Sequence, residues 1–176
     1  MNYATIKTHD VANGPGVRVS LFVSGCRHHC KGCFNSETWD FGYGEPYTEE
    51  TTEKILEALS PDYIKGFSLL GGEPFEPENQ AVLCGVLERV KLAYPKKTIW
   101  CYSGSDFEKD ILTGHTGDWA VTQRMLNCID MLVDGRFVEA LKDPGLRFRG
   151  SSNQRIIDVK KTMQQDKLVL WDEAEK

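Results

Sequence analysis

The chain has 176 residues, a length that fits one domain and is enough to bury a real core. With 40% hydrophobic residues, 27% charged residues and a formal net charge of -5, it has the balance of a soluble globular protein. Long-range attraction to nucleic acid or to an anionic membrane is not expected.

No apolar run approaches the ~20 residues that cross a bilayer, and the opening Met1–Asp10 stretch lacks the basic-then-apolar layout of a secretory signal. A cytoplasmic location follows as the expectation. The first periodic segment alternates Val17, Val19, Leu21 and Val23 with Arg18, Ser20, Phe22 and Ser24, the period of a strand. Phe22 makes its second face partly apolar, as in a sheet covered on both sides. The strand stops at Gly25, and the cysteine loop Cys26-Arg-His-His-Cys30-Lys-Gly-Cys33 begins at once.

Thr48 is placed to cap a helix whose first turn carries Glu49 and Glu50; Ile55, Leu56 and Leu59 form its apolar stripe, and Ser60-Pro61 ends it. A strand over Gly66–Leu70 runs into Gly71-Gly72-Glu73-Pro74. Val82, Leu83, Val86, Leu87 and Val90 then mark a helical face that ends near Tyr94-Pro95. A third strand, Thr98–Tyr102, leads to Ser103-Gly104. Val121, Met125, Leu126 and Ile129 indicate another helix, followed by strand Met131–Val133 and the turn Asp134-Gly135. Beyond Lys160 the chain is polar except for Leu168–Trp171, which fits either a docked strand or a loose tail.

Strand, loop and helix in repetition predict an α/β fold with parallel strands and right-handed crossovers. A βα unit takes roughly 30 residues, so the chain holds about five or six units, and a partial (open) parallel β/α barrel is expected. Chemistry in such folds gathers at the carboxyl ends of the strands. The cysteine loop, Gly71-Gly72-Glu73, Ser103-Gly104 and Asp134-Gly135-Arg136 all lie there, which argues for one composite site.

Three of the six cysteines fall within the loop; Cys84, Cys101 and Cys128 are scattered and read as small buried hydrophobes. So tight a cluster argues for a metal centre rather than a disulfide framework. Zinc would need a fourth ligand, which His28 or His29 can supply. An iron–sulfur cluster held by three thiolates would keep one iron open, as chemistry requires and a structural site avoids. The absence of a second C-x-x-C pair favours iron–sulfur, and as loop residues His28 and His29 need not be ligands.

A C-x3-C-x2-C loop after a first strand resembles the radical S-adenosylmethionine superfamily. There, three cysteines bind a 4Fe–4S cluster, S-adenosylmethionine chelates the open iron, and a 5′-deoxyadenosyl radical is released. Gly71-Gly72-Glu73-Pro74 is similar to the superfamily's glycine-rich segment, which meets the cofactor's amino group. The superfamily often places an aromatic residue before the third cysteine; here Gly32 holds that position and Phe34 follows Cys33. That departure matches one branch, the activating proteins of anaerobic ribonucleoside-triphosphate reductase. The branch resemblance rests on Asn13-Gly14-Pro15-Gly16-Val17-Arg18, Leu21–Cys26, Gly32-Cys33-Phe34-Asn35, Thr38-Trp39, Leu132–Phe137 and Arg149-Gly150-Ser151-Ser152-Asn153-Gln154. It covers residues 1–159, which it implies are a radical S-adenosylmethionine domain; 160–176 would be a C-terminal extension.

The resemblance implies an enzyme that installs a radical on a glycine of the large reductase subunit. Cys26, Cys30 and Cys33 would ligate the cluster. Gly32, Cys33 and Phe34 would line the cofactor, Gly72 would meet its amino group with Glu73 assisting, and Arg136 would either pair with its carboxylate or serve as a surface salt-bridge partner. An external one-electron reductant, flavodoxin-like or thiol-based, is implied as well. Trp39, Phe41 and Tyr43 suit either a docking surface or core packing, and 151–154 either shape the site's rim or cap a helix. Competing readings are an activase of another glycyl-radical enzyme such as pyruvate formate-lyase, a carboxy-deazaguanine synthase, or a non-enzymatic zinc or electron-transfer module.

Overall fold

The computed structural model describes residues 1–172. Strand β2 (Val17–Val23) sits inside the sheet. Its alternation sends Val19, Leu21 and Val23 to one face and Arg18, Ser20 and Phe22 to the other, and all six are buried. Beside it in order lie β4 (Ile64–Gly71), β5 (Thr98–Tyr102) and β6 (Met131–Asp134), each parallel to its neighbour. β1 (Asn2–Asp10) runs antiparallel to β2, the two-residue β3 (Glu45–Pro46) antiparallel to β1, and β7 (Arg155–Asp158) antiparallel to β6. The result is an open seven-stranded sheet in the order β3-β1-β2-β4-β5-β6-β7.

The expectation of an all-parallel sheet of five or six units is therefore corrected. Four strands are parallel, and the sheet is mixed at both sides. The reason at the far side is the connection from Gly135 to Gln154, which contains only a single 3-10 turn, Glu139–Leu141, among the described residues. Without a crossover helix to carry the chain back across the sheet, β7 returns antiparallel.

Helices α1 (Glu49–Leu59), α2 (Pro77–Ala93), α3 (Trp119–Cys128) and α4 (Val159–Gln165) follow β3, β4, β5 and β7 along the chain. Thr48 caps α1, its N–H donating to Thr51 Oγ1 at 3.2 Å. Ile55 and Leu59 of α1, Leu83, Leu87 and Val90 of α2, and Met125 and Leu126 of α3 share one core with Val19, Leu21, Phe67, Leu69, Ile99 and Leu132. Cys84, Cys101 and Cys128 lie buried in this core as the spacing suggested, and all six cysteines are free thiols. No helix among the described residues is long and apolar enough to cross a membrane.

The opposite face of the sheet carries Arg18, Ser68, Trp100, Tyr102, Val133 and Ile156. Trp100, Val133 and Ile156 form a second, smaller cluster against Phe148 and Trp171. Arg18 is fully buried here and staples three strands: Nε donates to Ser68 Oγ at 2.7 Å, and Nη2 donates to Phe67 O at 2.9 Å and Thr98 O at 2.8 Å. Leu168–Trp171 docks rather than trailing free: Asp158 N donates to Val169 O at 2.9 Å and Trp171 N to Ile156 O at 2.8 Å. The rest of the tail expected from sequence, 173–176, lies outside the described residues.

Candidate active site

At the end of β2 the backbone turns sharply. Gly25 adopts φ +96°, and a Cβ there would meet the Phe41 ring at 2.3 Å, so glycine is required. Gly25 N donates to Thr38 O at 2.8 Å and Cys26 N to Trp39 O at 3.2 Å, which brackets the start of the cysteine loop with the segment that follows it. Arg27 N donates to Glu76 Oε1 at 2.7 Å, and its guanidinium pairs with Glu76 and Glu78 while lying over the Phe41 ring. His29 stacks on Trp39, ring centroids 4.6 Å apart. Cys33 N donates to Cys30 O at 3.1 Å and closes the loop's last turn. Trp39 and Phe41 are thus engaged by packing, and Tyr43 is exposed.

Cys26, Cys30 and Cys33 all line one cavity of about 520 Å³, together with Phe34 and Gly72. Burial pushes the Cys26 thiol up to about 11; the Glu73 carboxylate adds to this, and the backbone N–H groups of His28 and His29 work against it. Burial raises Cys30 too, opposed by the Phe137 N–H and the nearby Arg136 guanidinium. A metal centre here must displace thiol protons as it binds. Neither these thiols nor the His28 and His29 rings form a trio of ligand atoms within 4.8 Å of one another; among the described residues only Asp106, Glu108 and Asp134 do so. That acidic trio is already engaged by the guanidinium of Arg155, which pairs with all three.

The other residues singled out by sequence take distinct places. Gly32, at φ +73°, faces the Glu139 carboxylate, while Phe34 is exposed at the mouth, tilted against Phe137 with centroids 5.2 Å apart. Gly72 belongs to the cavity wall and admits no Cβ, which would meet Gly25 O at 2.5 Å; its N–H donates to Val23 O at 2.7 Å. Glu73 and Arg136 are not among the wall residues. Glu73 is buried under the turn, and Arg136 is exposed.

Several residues that form the site were not reached by sequence reasoning. Tyr102 and Arg149 line the cavity, and Tyr102 Oη and Arg149 Nε are buried without a hydrogen-bond partner among the described residues. Arg149 lies on no periodic element, so only the quoted Arg149–Gln154 segment pointed toward it. That segment shapes the rim and caps no helix. Gln154 Oε1 accepts from Gly150 N at 2.9 Å and Ser151 N at 3.1 Å, and its Nε2 donates to Gly135 O at 3.0 Å. Asn153 Nδ2 donates to Arg136 O at 2.9 Å. These bonds fasten both ends of the irregular 135–154 excursion that walls the cavity.

Residues 12–157 match the family described as a 4Fe-4S single cluster domain. The chain is similar to the anaerobic ribonucleoside-triphosphate reductase-activating protein of Vibrio cholerae, with 44% identity over 89% of this chain and 97% of that protein. The protein of the same description from Escherichia coli K12 is 41% identical over 88% of this chain and 96% of its own length. That from Enterobacteria phage T4 is 39% identical over 89% and 93%. With three thiols of one loop converging on a cavity at the strand ends, and with these relatives matched over nearly their full length, the chain belongs to the 4Fe-4S single cluster domain family and to the family of anaerobic ribonucleoside-triphosphate reductase-activating proteins.

Proposed function

We infer that this chain activates an anaerobic ribonucleoside-triphosphate reductase by generating a glycyl radical on its large subunit, with a 4Fe–4S cluster on Cys26, Cys30 and Cys33 and S-adenosylmethionine as cofactor. The observation that carries this reading is the convergence of three free thiols and Gly72 on one cavity.

The donor set fits the cluster. Three soft thiols of one loop line one cavity, the donor type that iron–sulfur clusters take. Three thiols also leave one of four irons without a protein ligand, since Cys84, Cys101 and Cys128 are buried in the helical core. When bound, the cluster supplies the electron that cleaves the sulfonium of S-adenosylmethionine and releases the radical that takes a hydrogen atom from glycine.

The chain's own groups then bind and orient. An ammonium needs acceptors, and because the Gly72 N–H already donates to Val23 O, the Gly72 carbonyl is the backbone group suited to it. Phe34, next to Cys33 in the wall, offers a ring face to the cofactor's base, with Gly32 giving the loop its turn. The cofactor's carboxylate is assigned to Arg149, whose Nε has no hydrogen-bond partner among the described residues, with Arg136 acting from the mouth. The target glycine must come within roughly 3–3.5 Å of the radical carbon. The sheet is open, and Phe34, Val138 and Leu141 are exposed apolar side chains on the cysteine loop and the 135–154 excursion that wall the cavity. They offer an incoming loop a surface. An external one-electron reductant, flavodoxin-like or thiol-based, completes the scheme, because the remaining cysteines form no second cluster among the described residues. Residues 1–159 carry the radical S-adenosylmethionine domain, as a partial barrel, with 160–176 as a C-terminal extension that docks through Val169 and Trp171.

The test is anaerobic reconstitution, reduction and electron paramagnetic resonance with S-adenosylmethionine, followed by incubation with the purified reductase. A cluster signal that changes on adding the cofactor, then a glycyl-radical signal on the reductase that Cys30→Ala abolishes, is the expected result. A radical formed only on pyruvate formate-lyase would reassign the partner. A colourless zinc protein would remove the enzyme reading altogether.

A further inference from the structure

The motif Gly71-Gly72-Glu73-Pro74 suggests that the glutamate carboxylate reaches the cofactor's ammonium. In the structure that carboxylate is already engaged by the chain itself. Glu73 is 2% exposed. Its Oε1 accepts from Phe75 N and Ser103 Oγ, both at 2.9 Å, and its Oε2 accepts from Gly104 N at 2.7 Å. His28 Nε2 lies 2.9 Å from the same Oε2. An ionised carboxylate has about four lone-pair sites, and here four donors from three loops fill them. Those loops are the turn after β4, the turn after β5 and the cysteine loop. An ammonium could be accepted only by displacing one of these donors, all of them in low-dielectric surroundings.

His28 is the cysteine loop's end of this clamp. Its side chain is 15% exposed, lines the cavity and lies 3.4 Å from Ser105 Oγ through the same Nε2. A Cβ on Gly104 would meet the imidazole at 2.5 Å, so the slot that holds the ring exists because residue 104 is glycine. His28 stands midway between Cys26 and Cys30, and its backbone N–H is one of the two that face the Cys26 sulfur. Outer partners that orient ligands, and hydrogen bonds to cluster sulfurs, tune metal affinity and reduction potential.

We propose that Glu73 is a positioning residue and not a ligand of the cofactor: through His28 it locks the cysteine loop to the ends of β4 and β5, and thereby sets the geometry and reduction potential of the cluster. This rests on the assignment of the cluster to Cys26, Cys30 and Cys33 made above.

The experiment compares the reconstituted full chain with Glu73→Gln, His28→Ala and the double variant. The midpoint potential is read by titration under electron paramagnetic resonance, and the dissociation constant for S-adenosylmethionine by equilibrium binding. Both single variants should shift the midpoint in the same direction. The double variant should shift it no further than the larger single one, because the two residues act as a unit. Affinity for S-adenosylmethionine should stay within about threefold, while retained iron falls by about 10–100-fold in affinity. A loss of cofactor affinity of about tenfold or more in Glu73→Gln, with the potential unmoved, would make Glu73 a direct ligand and overturn the proposal. Additive shifts would overturn it too. Should Glu73→Gln not fold, His28→Ala alone decides, since an unmoved potential there removes the clamp. A parent chain that binds no cluster overturns the proposed function itself, whereas a parent with a normal cluster and unaltered variants overturns only this inference.

Discussion

Two arginines stand near the cavity, and they differ in how they can meet a carboxylate. Arg136 follows a strand and glycine and reads as a ligand from sequence, yet its side chain is exposed outside the cavity wall. Arg149 lies in an irregular excursion with no periodicity to mark it, and it presents a buried Nε without a hydrogen-bond partner among the described residues. A guanidinium held this way by Nη1 donating to Gln154 O at 3.0 Å is pre-organised for a carboxylate. Arg149→Gln should therefore weaken S-adenosylmethionine binding by about tenfold, equivalent to about 1.4 kcal/mol. Arg136→Ala should cost less, and its effect should fade as salt is raised, because it acts from solvent across a screened distance. Equilibrium binding at low and high salt measures both; an unchanged affinity in either variant removes that arginine from the site.

Among elements, α1, α2, α3 and the parallel strands were legible because each has a period and a marked stop, whereas the seven-residue α4 was not. Nor was β1. Its pairing with β2 shifts register between Tyr3 and Thr5, so Tyr3 and Ile6 both pack on the same core although their sequence spacing is odd. A bulge thus erases the alternation that would have announced the strand. β7 escaped for a different reason, being only four residues with two apolar ones. The link from β1 into β2 also depends on a side chain that periodicity ignores. Asp10, 5% exposed, accepts from Ala12 N at 2.8 Å and Asn13 Nδ2 at 2.6 Å, and Asn13 O in turn accepts from Ser68 Oγ at 2.5 Å. Burial works to raise the Asp10 pKa, but these hydrogen bonds outweigh it and hold the group below its usual 3.8. A carboxyl depressed in the folded state contributes stability above its unfolded value and loses it as pH falls through the folded one. Asp10→Asn should cost about 1–3 kcal/mol at neutral pH, and the gap from the parent should begin to close only once pH drops below 3.8 and vanish below the lower folded-state value. Urea unfolding across that range tests it, and a gap independent of pH would assign the loss to packing alone.

At the scale of the whole molecule, the open sheet has one face sealed by helices and the other closed only in part, by the 11–16 loop, the 135–154 excursion and the terminal segment. The terminal segment ties that second face to the site. Trp171 meets Trp100 edge-on, with centroids 5.4 Å apart, and lies 6.0 Å from Phe148, which itself meets Trp100 at 5.5 Å. Phe148 is also a wall residue of the cavity and the neighbour of Arg149. This three-ring cluster therefore carries the position of the terminal segment to the cavity, although Trp171 is not among the residues that line it. Aromatic pairs contribute about 0.5–1.5 kcal/mol each beyond the area they bury, so Trp171→Ala should lower stability by about 1–3 kcal/mol in urea. It should also weaken S-adenosylmethionine binding, because Phe148 loses one of the two rings that fix it. Trp171→Phe keeps a ring in place and should recover most of both losses. If Trp171→Ala destabilised the fold while cofactor affinity stayed at the parent value, the terminal segment would be only a cover for the sheet. If both fell together and Trp171→Phe restored both, the segment would be part of what holds the cavity wall in position.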